Sequence, residues 1–358
     1  MNRRNTVILG GVAAGAVAAG IGGAALAFLA ARRALRLYGE WSGRHGEDLR
    51  GQTVLITGSS RGLGLALAEE FARHKCKLVL CARNEAELAR ARRRIEEIGA
   101  EVIAVICDVS RPEQVEHLIN SARQHFGRID ILVNNAGIIS VGPLESFGVD
   151  DFREAMDVIF WGSVRPTLAV LPAMAESGRG RIVNITSIGG RVSVPHLLPY
   201  NCAKFATVGF SEGLHAEVRK FGVRVLTVVP GLIRTGSHLH AQFVGSHERE
   251  YGWFSLGSTN PFLSMAAERA ARQIVNAVRR NRTELVLGIP ARVLMYAHAA
   301  APGLVTEAMA LVNRLLPQAD GGKLKKKGHE SETVLRRSPL THLGRRAARK
   351  FNQMEEPA

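Results

Sequence analysis

A short apolar run, Val54-Leu-Ile56, ends in T-G-S-S-R-G-L-G from Thr57 to Gly64, and an amphipathic stretch from Leu65 to His74 follows at once. Strand, glycine turn, helix is the context that a dinucleotide-binding turn requires. Gly58 permits the tight turn. Gly62 and Gly64 let the backbone approach a pyrophosphate and let the helix pack on the sheet. The helix N-terminus then offers free N–H groups and a partial positive charge. The spacing is G-x-x-x-G-x-G rather than the G-x-G-x-x-G fingerprint.

The rest of the chain repeats this alternation. Strand-length apolar runs fall at 53–57, 77–82, 102–108, 131–134, 181–186, 224–229 and 284–287. Helical patterns lie between them, near 62–74, 84–98, 112–126, 150–177, 199–220 and 267–280. Alternating units of this kind predict an α/β fold, a parallel sheet covered on both faces. Ligands bind such sheets at the carboxyl ends of the strands.

One later cluster has the residue types for proton transfer. Tyr200 and Lys204 stand four residues apart in P-Y-N-C-A-K, and Ser187 ends R-I-V-N-I-T-S thirteen residues before the tyrosine. Four residues is one helical turn, so the phenol and the ammonium share a face. A nearby cation favours the phenolate, so the tyrosine pKa is expected to fall from about 10 toward working pH. A general acid/base needs that shift. Ser187, arriving from a strand end, is suited to hydrogen-bond a substrate carbonyl. Alone, the pair would read as surface packing on a helix; the glycine turn changes its weight.

Together these residues resemble the short-chain dehydrogenase/reductase family, over roughly residues 51–290. T-G-x-x-x-G-x-G is matched at Thr57 to Gly64 and N-N-A-G at Asn134 to Gly137. Ser187, Tyr200 and Lys204 keep the family's spacing, and P-G-x-x-x-T is matched by Pro230, Gly231 and Thr235. The resemblance implies a Rossmann-type doubly wound parallel sheet with helices on both faces. It also implies hydride transfer between a nicotinamide cofactor and a carbonyl or alcohol, with Tyr200 as general acid/base. Ser187 would orient and polarise the carbonyl. Lys204 would hold the nicotinamide ribose as well as tune the tyrosine. Gly58, Ser60, Arg61, Gly62, Leu63 and Gly64 would cradle the dinucleotide, with Asn135, Ala136 and Gly137 beside them. Asp108 and Val109 match the family's adenine contact, although Asp108 also suits a cap before Pro112. Thr235 and the backbone near Ile233 resemble the contacts to the carboxamide.

The second strand ends C-A-R-N, Cys81 to Asn84, so Ala82 stands where an NAD-binding member usually has aspartate. Arg83 follows, and Arg61 sits in the glycine turn. Two guanidinium groups at one corner suit a 2′-phosphate, which points to NADP(H). One position departs from the family. Ile159, in D-V-I-F-W-G, replaces an asparagine that helps relay protons. The alternative function is therefore a weak or inactive NADP-binding sensor or scaffold at the membrane.

The ends differ from the middle. Residues 1–36 hold an uncharged run of 26 residues, Thr6 to Ala31, between Arg3, Arg4 and Arg32, Arg33, Arg36. It is long enough to span a bilayer, which needs about 20 residues. An N-terminal transmembrane anchor is the leading reading. A signal peptide cleaved near Ala25-Leu-Ala27 and an apolar arm are its rivals. The excess of Arg after the run places the catalytic domain on the cytoplasmic side. Residues 37–50 read as a linker and 51–290 as the catalytic domain. Residues 291–318 read as an apolar helical extension broken near Pro302, either packed on the core or bordering the substrate pocket as an interfacial surface. Residues 319–358 read as a basic, unstructured tail suited to anionic lipid. Without a reader motif the net charge of +15 gives no nucleic-acid partner. Cys76, Cys81, Cys107 and Cys202 lack metal-site spacing, so no metal is expected and reduced thiols are. The expected partners are a small, hydrophobic carbonyl or alcohol and membrane lipids, with a homo-oligomer left open. Pro195, Leu197, Leu198 and the lid residues Phe243, Tyr251, Trp253, Phe254 and Leu256 are the candidate pocket lining.

Overall fold

Strand residues sort to two faces by alternation. The computed structural model describes residues 46–331 and 342–354. In strand β1 (Thr53–Thr57), Val54 and Ile56 enter one core while Leu55 enters the other. The same split recurs in β2 (Lys77–Ala82), where Leu78 and Leu80 oppose Val79 and Cys81. Both faces are apolar, so both must be covered. Helices α1 (Gly62–Arg73) and α2 (Glu85–Glu97) cover the first face. Helices α3 (Pro112–Phe126), α4 (Val149–Glu176) and α5 (Leu198–Val218) cover the second.

The remaining strands are β3 (Val102–Ile106), β4 (Ile131–Asn134), β5 (Gly180–Ile185), β6 (Val223–Pro230) and β7 (Glu284–Leu287). They form a seven-stranded sheet in the order β7-β6-β5-β4-β1-β2-β3, parallel throughout. The order reverses between β1 and β4, which places the ligand crevice beyond Thr57 and Asn134. A polar chain crosses the core at the same level. The Asn134 amide donates to Thr167 Oγ1 at 2.9 Å and to Asn184 Oδ1 at 2.8 Å. The Asn184 amide donates to Ser211 Oγ at 2.9 Å, and the Ser211 hydroxyl meets that of Thr227 at 2.7 Å.

Helix α6 (His247–Thr259) forms the lid, and α7 (Ala267–Arg279) returns to the first face. Helices α8 (Ile289–Ala300) and α9 (Pro302–Asn313) break at Pro302, where the sequence places the break. Each buries one residue, Ala291 and Val305, and leaves apolar side chains in solvent. Among the described residues one helix, α4, is long and apolar enough to cross a membrane, and half of its apolar window is buried. It is the helix expected at 150–177, covering the sheet. The N-terminal anchor expected at 1–36 lies outside the described residues.

Within the tail read as unstructured, the described residues hold a short strand and a helix. Lys326–Lys327 pair antiparallel with Gln242–Phe243 of the lid region. Helix α10 (His342–Lys350) then brings Phe351 into the first core, where the side chain is buried among Leu63 and Ala347. Basic composition concealed this, because Lys323, Lys326, Arg346 and Arg349 are exposed while a few anchors hold the segment.

Candidate active site

The glycine turn is shaped by close approach of backbone. Gly58 has φ +63°, and a Cβ there would lie 2.8 Å from Ala136 Cα. A Cβ on Gly64 would lie 2.2 Å from the Gly58 carbonyl oxygen and 2.6 Å from the Asn135 amide. Asn135 fastens this turn to the end of β4. Its side chain donates to the carbonyls of Thr57 at 3.0 Å and Gly58 at 2.9 Å, and its N–H donates to Thr57 Oγ1 at 3.0 Å. N-N-A-G and T-G-x-x-x-G-x-G are thus two halves of one structure.

Above this turn lies a cavity of about 820 Å³, a size suited to a cofactor with its substrate. Gly58, Ser60, Arg61, Gly62, Leu63, Arg83, Asp108, Val109, Asn135, Ala136 and Gly137 line it, as do Pro230, Gly231, Ile233 and Thr235. Gly64 is absent from the wall and serves the packing of α1 instead. At one end lie Arg61 and Arg83, with a carboxylate beside Arg61 that the sequence reading missed. Asn84 caps α2 by accepting from the Glu87 N–H at 2.9 Å, and Glu87 lines the cavity. Glu87 takes Arg61 at 2.9 Å and the Ser60 hydroxyl at 3.1 Å. Arg83 lies 3.8 Å from Asp108. Asp108 accepts from the Ser110 N–H and hydroxyl, so it both fixes its turn and faces the cavity. Burial pushes its carboxyl up, but the Ser110 hydrogen bonds and Arg83 outweigh that and hold it below the ordinary value.

Ser187, Tyr200 and Lys204 meet at the other end. Ser187 lies just past β5, and its Oγ accepts from the Gly189 N–H at 3.0 Å. It faces Tyr200 closely enough to favour the phenolate. The Lys204 ammonium donates to the Ile185 carbonyl at 2.8 Å and sits 5.7 Å from the Tyr200 ring centre. The electrostatics differ from the expectation. Burial raises the Tyr200 phenol above its ordinary value, and the pull downward comes from Ser187. Lys204 is itself lowered to about 8 by burial. The helical spacing gave the shared face correctly but gave no measure of desolvation. Ile159 lies in a π-turn of α4 (Met156–Trp161) and packs with Ala155, Ala203 and Tyr200. An apolar side chain therefore borders the trio.

The substrate end is apolar. Leu197, Trp253 and Phe254 line the cavity as expected. Phe243 and Tyr251 do not. They are buried behind the wall, in edge contacts with one another and with Phe254 or His238. Pro195, Leu198 and Leu256 are also off the wall, which is completed by Ile139, Val194, Leu263 and Leu294.

The sequence profile for short chain dehydrogenases matches residues 52–242. The chain belongs to that family. It is 36% identical over 250 residues to a dehydrogenase/reductase SDR family protein 7-like of Anopheles gambiae, covering 68% of this chain and 77% of that one. It is 38% identical over 244 residues to 11-beta-hydroxysteroid dehydrogenase A of Sesamum indicum, covering 66% and 68% of the two. Among solved structures, L-sorbose reductase from Gluconobacter frateurii, complexed with NADPH and L-sorbose, superposes with a TM-score of 0.61 at 28% identity. That match covers 68% of this chain and 97% of the reductase.

Beyond the family motifs, this short-chain dehydrogenase places further polar residues on the cavity wall: Glu87, His240, Lys327, His329 and Gln353. Burial, with Arg61 beside it, lowers His240 to about 4. Lys327, His329 and Gln353 come from the tail, whose basic composition gave no advance signal of them.

Proposed function

We propose that the chain is an NADP(H)-dependent oxidoreductase that interconverts a hydrophobic carbonyl compound and its primary or secondary alcohol. The observation that carries this reading is one cavity with Arg61 and Arg83 at one end and Ser187, Tyr200 and Lys204 at the other. The turn fits a dinucleotide, since Gly58, Gly62 and Leu63 bring the start of α1 to the cavity wall, with the Gly62 N–H held by the Phe351 carbonyl. When bound, the dinucleotide supplies or accepts the hydride. Ser187 donates a hydrogen bond to the substrate oxygen. Tyr200 gives that oxygen its proton, and the high phenol pKa keeps the proton in place until the oxygen becomes basic. Lys204 holds the ribose hydroxyls. Thr235 and the backbone at Ile233 would hold the carboxamide, and Asp108 and Val109 would hold the adenine. Arg61 and Arg83 take the 2′-phosphate. Glu87 pairs with Arg61 and Asp108 with Arg83, so a 2′-phosphate would draw the two guanidinium groups away from these carboxylates. The NADPH bound in the sorbose reductase supports the same choice.

Leu197, Trp253, Phe254, Leu263 and Leu294 favour an apolar substrate. The cavity reaches α8, and the surface beyond it exposes Phe262 (89%) and Leu315 (86%) together with Ile289 and Leu304. Such a surface suits a bilayer interface, with the uncharged run 6–31 as anchor and the catalytic domain on the cytoplasmic side. The steroid dehydrogenase relative supports a lipid-like substrate class. Ile159 favours a second reading, a slow or inactive NADP-binding sensor at the membrane, because no polar side chain stands at that point of the relay.

The test is turnover on detergent-extracted full-length chain, with NADPH or NADH and a panel of apolar ketones and aldehydes. NADPH oxidation that Tyr200→Phe abolishes is the expected result. Equal activity in that variant would refute the mechanism, and a preference for NADH would refute the cofactor assignment. NADPH binding without turnover of any compound would favour the sensor.

A further inference from the structure

The crevice above the glycine turn has a wall built from the far end of the chain. After α10 the backbone runs along the turn, and the Gly62 N–H donates to the Phe351 carbonyl at 2.9 Å. The Asn352 amide donates to the Ser60 carbonyl at 2.8 Å and to the Glu87 carbonyl at 3.0 Å. Arg90 returns a hydrogen bond to Asn352 Oδ1 at 2.8 Å. The buried Phe351 ring anchors the segment from below.

The same segment also grips the opposite side of the crevice. His240 Nε2 donates to the Gln353 carbonyl at 2.9 Å. Ala348 lies so close to Gly236 that a Cβ on the glycine would come within 2.5 Å. Residues 348–353 therefore bridge the glycine turn and the loop that follows Thr235. Gln353 reaches into the cavity between them. Its amide nitrogen sits 2.8 Å from the Cβ position of Gly62, and its Oε1 is buried without a hydrogen-bond partner. With the segment in place, the cavity still runs from Ala82 and Asp108 to Ser187 and Tyr200. The segment crosses the crevice without filling it.

We propose that residues 348–353 form a strap that closes over the bound dinucleotide and retains it, with the Gln353 amide as a contact to it. This rests on the dinucleotide-binding reading above. A strap fastened to both sides must detach from one of them before a ligand beneath it can leave, so its contribution falls on the dissociation rate. Asn352 is off the cavity wall, so Asn352→Ala loosens the strap without removing a ligand contact. Gln353→Ala removes the contact itself.

The experiment is NADPH fluorescence on the purified full-length chain, with dissociation followed after mixing with excess NADP+. Loss of the three hydrogen bonds of the Asn352 side chain, or of the Gln353 contact, corresponds to dissociation faster by about 10-fold in each variant. Unchanged dissociation in both overturns the strap while leaving the dinucleotide reading intact. Slower dissociation or tighter binding also overturns it, since the tail would then compete with the ligand. If the unaltered chain binds neither NADPH nor NADH, both readings fall. Should the variants not fold, amide hydrogen exchange on the unaltered chain decides. Slower exchange on adding NADPH at 60–63 and 348–353 together supports the strap, and slowing at 60–63 alone overturns it.

Discussion

The two ends of the cavity are built from different material. The dinucleotide end is backbone: glycines that touch neighbouring main chain, an asparagine clipped to two carbonyls, strand ends in fixed register. The substrate end is side chain: leucines and aromatic rings from the lid and α8, two of them stacked behind others. A wall of backbone tolerates almost no added atoms, whereas a wall of apolar side chains tolerates exchange among shapes of similar volume. Chemistry common to a family is expected at the first end and substrate choice at the second.

Substitutions can break this contrast. Gly64→Ala forces a methyl group to 2.2 Å from the Gly58 carbonyl and should abolish NADPH binding or soluble expression. Gly257→Ala, at the substrate end, meets nothing nearer than Leu232 at 3.8 Å and should leave the thermal midpoint within a few degrees. Equal damage from both would end the comparison. Next in size, Tyr200→Phe should lower kcat by about 10²- to 10⁴-fold while NADPH titration shows unchanged affinity.

Lys204 stands where the ends meet, and burial lowers it from 10.5 to about 8. The unfolded chain thus holds this proton more tightly than the folded one. Folding stability should therefore rise as pH climbs from about 8 to 10.5, by on the order of 3 kcal/mol at most. Below pH 8 the burial penalty is present in full. Denaturant unfolding of Lys204→Met should lose this rise and show higher stability at pH 7. The smallest effect belongs to the side-chain wall. Trp253→Ala should lower kcat/KM for an apolar ketone by about 10-fold, with NADPH affinity unchanged in the same titration.

The sequence announces the two ends unequally for the same physical reason. Gly58, Gly64 and Asn135 are positions with one acceptable residue, so they stand out as motifs. Tyr200 and Lys204 were legible from helical spacing, but the direction of the phenol shift depends on burial, which spacing does not contain. Phe243 and Trp253 are both aromatic lid residues. Nothing in their local sequence says that one is packed behind the wall and the other forms it. Glu87 was hidden because its place depends on the Asn84 cap. The tail was hidden because Phe351, Asn352 and Gln353 are three anchors at the end of a basic stretch. The seven strands were readable throughout, because period-two burial on two faces leaves a long apolar signature.

The polar chain from Thr167 through Asn134, Asn184 and Ser211 to Thr227 has a further consequence. Asn134 pairs with Asn184, and Asn184 with Thr227, across three adjacent strands. Sliding any one of them by a single residue would move it about 3.3 Å and point its polar side chain to the opposite face. Buried donors would then be left without acceptors. Asn135 follows the first of these residues by one position, and Ser187 and Pro230 follow the other two by three. The chain of hydrogen bonds is thus a length gauge. It sets how far each strand end projects, and so fixes the relative positions of Asn135, Ser187 and Pro230.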